Sequence, residues 1–205
     1  MINTIIFDLG AVLIDWNPIY LYRKLFKEEA DMHNFLSTVC TPDWNEEQDA
    51  GRSLKAATET LIVQFPEHED NIRAYYGRWE EMLGGPISGT VKLFNQLKKS
   101  EKYKIYALTN WSAETFPIAL ERFEFLHWFD GIVVSGTEMD RKPSRDFYQI
   151  LLDRYQVKSQ EVLFIDDNLR NIEAARLMGL ESIHFISPEQ LEGTLNDKGI
   201  FFKSV

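Results

Sequence analysis

The sequence predicts an α/β fold in which a doubly wound parallel sheet carries an inserted α-helical cap. Two observations lead to this class. Short apolar runs alternate with stretches of helical periodicity over much of the chain, which is typical of βαβ units in a parallel sheet. One long block after the first apolar run shows helical periodicity alone. We therefore expect a Rossmann-like core formed by residues 1–15 and 86–205, and a cap formed by residues 16–85.

The first predicted strand ends at a carboxylate. Residues 5–7 form an apolar run, which is typical of a strand buried on both faces of a parallel sheet. Asp8 follows directly, so we expect it at the carboxyl edge of the sheet, where open α/β sheets bind their ligands. Gly10 lets the backbone turn there and approach a ligand closely.

The cap is predicted to be wholly helical. Asn17 can cap a first helix that has Pro18 at its first position. Apolar residues recur at helical spacing as far as Leu83, and no strand is expected among them. Gly84 and Gly85, followed by a proline, then interrupt the pattern.

After the cap, strands and helices alternate. The predicted strands cover residues 103–108, 132–134, 162–165 and 182–186, with a further edge strand at 200–203. The predicted helices cover residues 88–99, 113–123, 144–155 and 168–178, and a last helix begins at 187–188. Residues 135–141 are expected to form a loop.

Polar residues of matching chemistry stand at the ends of the predicted strands. They are Asp8, Thr109, Asn110, Asp166 and Asp167, together with Lys142, which follows a fourth strand. Because parallel strands end at one edge of the sheet, these side chains can converge. Carboxylates are hard oxygen ligands for Mg²⁺, an ammonium is a point charge for an anion, and a hydroxyl can donate to phosphate oxygens. These are the parts of a phosphoryl-transfer site with a nucleophilic carboxylate. Each residue alone could be a turn residue, a helix cap or a solvated lysine, but their order and placement argue against coincidence.

Four segments resemble the motifs of the haloacid dehalogenase superfamily of hydrolases. They are FDLGAVL at residues 7–13, LTN at 108–110, RKP at 141–143 and FIDDNLRNIEAA at 164–175. The insertion after the first motif resembles the helical cap of the subgroup that contains small-molecule phosphatases and L-2-haloacid dehalogenases. Within that subgroup, the chain most resembles a bacterial branch of sugar-phosphate phosphatases active on α-D-glucose 1-phosphate.

The resemblance implies that Asp8 and Lys142 are catalytic. Asp8 would attack phosphorus in line and become an aspartyl-phosphate. Lys142 would offset the charge of the nucleophile and bind the phosphate. Thr109 and Asn110 would hold the phosphoryl oxygens.

The resemblance also implies a magnesium site. Its ligands would be the Asp8 carboxylate, the backbone carbonyl of Gly10 and the carboxylate of Asp167, which aligns best with the metal-binding aspartate of the family. Asp166 would be a second ligand or would bind a metal-bound water.

Position 10 departs from the family pattern. Most phosphatases of the family have a second aspartate there, as general acid and base, where this chain has Gly10. A well-placed group of that kind contributes about 10² to 10⁴ in rate. Asp15 is a conceivable replacement, although a surface or turn role is the more ordinary expectation for it.

The cap offers one candidate for substrate binding. Trp16, Trp44, Asn45 and Arg52 are expected near the start of the cap or in its first loop. Trp44 could stack on a sugar, or it could be buried between cap helices. The four histidines show no spacing typical of metal ligands.

These observations favour a Mg²⁺-dependent phosphatase acting on a small phosphorylated metabolite, with a sugar phosphate as one candidate. Two alternatives stay open. One is a 2-haloacid dehalogenase that uses the same nucleophile without metal, although adjacent Asp166 and Asp167 beside a third carboxylate call for a cation. The other is a non-catalytic protein that binds phosphate ligands, which the glycine at position 10 would allow.

The composition disfavours some classes of binding partner. The formal net charge is −10 and no Lys/Arg-dense stretch offsets it, which disfavours nucleic acid and anionic membranes as partners. Cys40 is the only cysteine, so no intrachain disulfide can form. With no signal-like or membrane-spanning segment in the sequence, we expect a soluble cytoplasmic protein, either a monomer or a homodimer.

Overall fold

The computed structural model describes residues 1–200, and seven strands form two sheets there. The strands are β1 (Thr4–Phe7), β2 (Ile14–Trp16), β3 (Leu83–Pro86), β4 (Lys104–Thr109), β5 (Gly131–Val134), β6 (Val162–Asp166) and β7 (Glu181–His184). Five of them form one parallel sheet in the order β5-β4-β1-β6-β7. The first strand therefore lies at the centre of the sheet, between β4 and β6. The predicted α/β class with a parallel sheet is confirmed.

Eleven α-helices and four short 3₁₀ helices connect the strands within the same residues. The α-helices are α1 (Ile19–Tyr22), α2 (Glu29–Thr38), α3 (Pro42–Asp49), α4 (Leu54–Gln64), α5 (Glu69–Gly77), α6 (Ser88–Lys99), α7 (Phe116–Arg122), α8 (Ser135–Glu138), α9 (Arg145–Arg154), α10 (Leu169–Leu177) and α11 (Pro188–Asp197). The 3₁₀ helices are Pro66–His68, Trp79–Met82, Glu124–Trp128 and Ser159–Glu161. None of the helices in residues 1–200 is long and apolar enough to cross a lipid bilayer.

Side chains of β1 alternate between two layers of helices. Ile5 and Phe7 join one hydrophobic core with residues of α6, α7 and α11, whereas Ile6 joins a second core with residues of α9 and α10. The ring of Phe7 lies 5.7 Å from that of Phe94 in α6. Successive strand residues point to opposite faces, so a run that is apolar throughout must be covered on both sides. Helices therefore cover both faces of the sheet, as a doubly wound fold requires.

The second sheet corrects the expectation that the cap, residues 16–85, is wholly helical. β2 and β3 pair antiparallel, with Ile14 opposite Pro86 and Asp15 opposite Gly85. Both strands are short, and β3 contains two glycines and a proline, so neither carries a periodic signal. The two predicted boundaries between core and cap, at residues 15–16 and 85–86, lie next to each other in this sheet. The division into two domains stays a prediction.

The helices between β2 and β3 pack around an aromatic cluster. The ring of Tyr22 lies 5.1 Å from Phe35 and 6.1 Å from Tyr75, and its hydroxyl donates to the Asn71 carbonyl over 2.9 Å. This cluster is continuous with the core on the α6 face of the sheet. We call residues 19–82 the helical segment. The α-helical part of this segment ends before Leu83, where the helical spacing of the sequence stops, because α5 ends at Gly77 and a 3₁₀ helix follows.

Two smaller expectations also change. Residues 135–138, expected in a loop, form the short helix α8. The edge strand expected at 200–203 lies outside the described residues, apart from Ile200.

Loops at the carboxyl edge of the sheet pack closely on one another. The Gly136 N–H donates to the Trp111 carbonyl over 3.1 Å, and the Trp111 N–H donates to Ser135 Oγ over 2.8 Å. A Cβ at Gly136 would lie 2.4 Å from the backbone nitrogen of Ala113 and 2.9 Å from the Trp111 carbonyl oxygen. The start of α8 can therefore approach the backbone of Trp111 and Ala113 this closely only with glycine at position 136.

Gly136→Ala is expected to lower the free energy of unfolding by about 1–3 kcal/mol, since backbone atoms must move to admit the methyl group. Urea unfolding measures the change. Gly193→Ala is the matched control, because a Cβ there meets nothing within 4 Å. It lies inside α11 and should leave stability unchanged or raise it by up to about 1 kcal/mol. Equal midpoints for the two variants would contradict the close approach.

Candidate active site

Three carboxylates meet at the carboxyl edge of the sheet. Asp8 follows β1, Asp166 ends β6, and Asp167 comes next in the chain. Because β1 and β6 are neighbours in register, with Phe7 opposite Ile165, the strand ends bring these side chains together. One carboxylate oxygen from each of the three lies within 4.8 Å of the others. The convergence expected from the parallel sheet is present for this acidic group.

A buried lysine binds two of these carboxylates. The side chain of Lys142 is fully buried, and its Nζ lies 3.0 Å from Asp8 Oδ1 and 2.7 Å from Asp166 Oδ2. Burial alone would lower the pKa of this ammonium, but Asp166 and Asp8 outweigh that effect and raise the pKa above its ordinary value. Lys142 therefore stays charged and offsets part of the acidic cluster.

Both carboxylate oxygens of Asp166 accept hydrogen bonds from nearby groups. Its Oδ1 accepts from the Asn168 N–H at 2.8 Å and from Asn171 Nδ2 at 3.0 Å, while its Oδ2 accepts from Lys142 at 2.7 Å and Asn171 Nδ2 at 3.1 Å. Three donor groups make these contacts, so Asp166 holds Lys142 and is itself held by Asn168 and Asn171. Its expected role as a second metal ligand stays a prediction.

The remaining acidic groups are poorly stabilised without a cation. Burial raises the pKa of Asp8 to about 7, opposed by Lys142 and reinforced by Asp166 and Asp167. Burial and the neighbouring Asp166 likewise raise the pKa of Asp167. One ammonium among three carboxylates leaves an excess of negative charge, which is costly in a site shielded from water.

The uncommitted oxygens fit Mg²⁺. Within residues 1–200, no side chain donates to the carboxylate of Asp167, and no donor contacts the Gly10 carbonyl oxygen. A turn holds Gly10 in place: the N–H groups of Leu13 and Ile14 both donate to the Leu9 carbonyl over 2.9 Å. Two carboxylates and a backbone carbonyl are hard oxygen donors, and Mg²⁺ commonly takes one or two carboxylates and retains waters.

The last residue of β4 and the residue that follows it make different contacts. Thr109 Oγ1 is buried and has no hydrogen-bond partner in the described part of the chain. Such a group is available to a ligand oxygen. The Asn110 side chain pairs with the backbone of Lys142: Nδ2 donates to its carbonyl over 3.0 Å, and Oδ1 accepts from its N–H at 2.9 Å. Asn110 thereby fixes the segment that carries the lysine. The expected contact of Asn110 with phosphoryl oxygens stays a prediction.

A cleft separates the acidic cluster from the helical segment. It has a volume of about 510 Å³, and Asp8, Asn110 and Asp167 line its sheet side. Glu46 of α3 bridges the two sides, with contacts of 2.7 Å to Arg141 Nη1 and 2.8 Å to Arg170 Nη2. The cleft is large enough for a small organic phosphate.

Trp44 packs on other aromatic side chains, and its role in sugar stacking stays a prediction. Its ring lies 5.1 Å from that of Tyr75 and 5.4 Å from that of Tyr76, inside the aromatic packing of the helical segment. Trp16 lines the cleft instead. Asp15 is engaged as well, since its Oδ2 accepts from the Tyr20 hydroxyl at 2.7 Å. Asp15 thus takes a structural role rather than that of a proton donor.

Sequence reasoning missed Asp49. It is the last residue of α3, and it lines both the cleft and a second cavity of about 90 Å³ next to Gly10. Burial raises the pKa of Asp49 to about 7, although Arg141 opposes the effect. The helix PDWNEEQD carries four acidic residues among eight, so the sequence offers no signal that singles out one of them.

The sequence is similar to a known protein family and to individual phosphatases. A family model described as haloacid dehalogenase-like hydrolase matches residues 5–185. Sesquiterpene phosphatase AstK from Aspergillus oryzae is 29% identical over 180 residues, which are 87% of this chain and 87% of that protein. A phosphorylated carbohydrates phosphatase from Thermotoga maritima is 23% identical over 189 residues, covering 89% of this chain and 84% of that protein.

A solved structure shares the fold. A HAD family enzyme from Bacteroides thetaiotaomicron, in complex with magnesium and inorganic phosphate, has a TM-score of 0.66 at 19% identity and covers 91% of this chain and 96% of that chain. The sugar-phosphate branch suggested by the motifs stays a prediction. Because the family model extends from β1 to the end of β7, over most of the chain, the chain belongs to the haloacid dehalogenase-like hydrolase family.

Proposed function

We propose that this protein is a Mg²⁺-dependent phosphatase that hydrolyses a small phosphate monoester through an aspartyl-phosphate at Asp8. One observation carries the proposal: Asp8 lies at the floor of the cleft, fixed by buried Lys142, beside uncommitted oxygens that suit Mg²⁺. Two relatives whose names describe phosphatases support the reaction class.

The protein's own residues position the two reactants. The Leu9 N–H donates to Asp8 Oδ1 over 2.7 Å, and Lys142 contacts the same oxygen, so Oδ2 is the free nucleophile. Attack by Oδ2 forms a bond to phosphorus as the ester oxygen leaves, and water then breaks the acyl-phosphate bond and regenerates Asp8. Lys142 and the unpartnered Thr109 hydroxyl are placed to stabilise the phosphoryl oxygens.

Asp8, Asp167 and the Gly10 carbonyl would hold the metal. When bound, Mg²⁺ supplies positive charge that offsets the phosphoryl oxygens and the clustered carboxylates. The same cluster argues against a metal-free dehalogenase, because three carboxylates with one lysine are not neutralised in such a site. A protein that only binds phosphate ligands would use the same residues, so only a measurement of turnover distinguishes this alternative from the proposed phosphatase.

The substrate is proposed only as a small phosphate monoester. The two relatives are named for phosphates of different chemistry, a sesquiterpene and carbohydrates. The cleft offers both kinds of contact, since Leu36 and Tyr75 line it together with Asn17 and Ser37. A sugar phosphate stays one candidate for the substrate.

Asp8→Asn is expected to reduce turnover of every accepted phosphate ester by at least about 10³-fold, because the amide cannot form the covalent intermediate. Phosphate release from a panel of esters with Mg²⁺ measures this. Asp43→Asn, an exposed change on α3, should retain full activity. Chloride release from 2-chloropropionate without metal would favour the dehalogenase. Thermal stabilisation by phosphate without any turnover would favour the binding protein.

Mg²⁺ is expected to raise the melting temperature, because it binds the folded state; the gain is about 2.7 kcal/mol at 100 times Kd. Differential scanning fluorimetry over a Mg²⁺ titration after chelation measures the shift. Asp167→Asn should lose most of it by removing a ligand, whereas Asp197→Asn, exposed at the end of α11, should keep it. Equal shifts in the two variants would exclude Asp167 from the metal site.

A further inference from the structure

We propose that Asp49 is the general acid and base of this site, supplied by α3 in place of the aspartate that most family phosphatases carry at position 10. The assignment rests on the proposed phosphatase function. It makes Asp49 a catalytic residue that contacts the leaving oxygen of the substrate and then the attacking water.

The first observation is the space beside Gly10. A Cβ at Gly10 would meet nothing within 4 Å, so the backbone leaves this side open. Gly10 and Asp49 line the same cavity of about 90 Å³. A carboxyl group is therefore present in the cavity that a side chain at position 10 would border, but it comes from the helical segment.

The second observation is that Asp49 also reaches the nucleophile's cleft. Trp16, Asn45, Asp49 and Asn110 line both the small cavity and the cleft that contains Asp8. Asp49 thus lies where the two spaces meet. A substrate whose phosphorus faces Asp8 can therefore place its ester oxygen in a space that Asp49 also borders.

The third observation is a directed chain of hydrogen bonds that holds the carboxyl group. Arg52 Nε donates to Gln48 Oε1 over 2.7 Å, and Gln48 Nε2 donates to the Tyr76 hydroxyl over 2.9 Å. The Tyr76 hydroxyl donates to Asn45 Oδ1 over 3.0 Å, and Asn45 Nδ2 donates to Asp49 Oδ2 over 3.2 Å. Every link uses one donor and one acceptor, so the chain fixes the orientation of Asp49 as catalysis requires.

The fourth observation points to a ligand in the small cavity. The indole N–H groups of Trp16 and Trp111 are buried, and neither has a hydrogen-bond partner among the residues that the structure describes. Both residues line the cavity with Asp49, and Trp111 is only 6% exposed. Unpartnered buried donors are costly. A leaving-group oxygen or a water in the cavity would satisfy them.

The environment also keeps the proton of Asp49 exchangeable near neutral pH. Burial raises its pKa to about 7, with Glu46 adding to the effect and Arg141, the Ser112 backbone and Lys142 opposing it. Its position at the C-terminal end of α3 disfavours a negative charge as well. A group poised near the working pH can both give and take a proton.

The proton balance over the two steps is complete. Asp8 Oδ2 forms the bond to phosphorus, the bond between phosphorus and the ester oxygen breaks, and the Asp49 carboxyl group gives its proton to that oxygen, which leaves as an alcohol. In the second step the Asp49 carboxylate takes a proton from water as the water oxygen bonds to phosphorus. The Asp8–phosphate bond breaks, inorganic phosphate leaves, and Asp49 is protonated again.

Leaving-group dependence tests the assignment. Asp49→Asn should lower kcat/KM for an alkyl phosphate by about 10² to 10⁴, because an alkoxide cannot leave without a proton. The loss for 4-nitrophenyl phosphate should be far smaller, since nitrophenolate leaves unprotonated. The comparison uses kcat/KM, which reports the steps up to departure of the leaving group. Retained activity on the aryl ester shows that the variant is folded, and Asp43→Asn on the same helix is the matched control.

A second variant tests whether the two positions are equivalent. Gly10→Asp introduced into Asp49→Asn should recover at least part of the lost kcat/KM for the alkyl ester, because the new carboxyl group borders the same cavity. Equal losses for both esters in Asp49→Asn, or no loss for either, would overturn the role of Asp49 while leaving the phosphatase function intact. A wild-type protein that hydrolyses neither ester overturns the proposed function and this assignment together.

Discussion

The buried ammonium of Lys142 is the interaction on which the rest of the site depends. Without it, Asp8 and Asp166 could not lie side by side, because two adjacent buried carboxylates repel and lose their hydration. Three parts of the chain cooperate to hold it. Asn110, after β4, fixes its backbone, Asp166 at the end of β6 holds its Nζ, and Asn171 of α10 holds Asp166 in turn. Asp8, the proposed nucleophile, is therefore positioned by a network that crosses the centre of the sheet.

The sheet and the helical segment contribute different chemistry. The sheet edge provides charge, through Asp8, Lys142 and Asp167. The helical segment provides the cleft wall and its aromatic packing, and Glu46 joins the two sides through Arg141 and Arg170. Those ion pairs lie beside the cleft and hold α3, its far wall, against the loops at the sheet edge. Placing Asp49 on α3 makes the proposed proton transfer depend on that same contact.

The glycine at position 10 has a consistent explanation in this arrangement. Its carbonyl is uncommitted in the described residues and suits a metal, and the space beside its Cα opens into the cavity that Asp49 borders. A carboxylate delivered by a helix is held by its own hydrogen-bond chain, so it does not need the strand-end turn that carries Asp8. Separating the proposed nucleophile from the proposed proton donor in this way also keeps a further carboxylate out of the turn that follows Asp8.

The sequence by itself determined the parallel sheet and the acidic cluster at its edge. Apolar runs such as 5–7 and 162–165 are local signals of buried strands. Because parallel strands end at the same edge of a sheet, the residues that follow these runs lie at that edge. Only the tertiary structure decided that Asp166 serves Lys142, that Trp44 packs on Tyr75 and Tyr76, and that β2 pairs with β3. It alone also brought Asp49 to the cavity beside Gly10. These outcomes depend on contacts between residues far apart in the chain, and neither a short strand nor one carboxylate on a polar helix has a local pattern that reveals its partner.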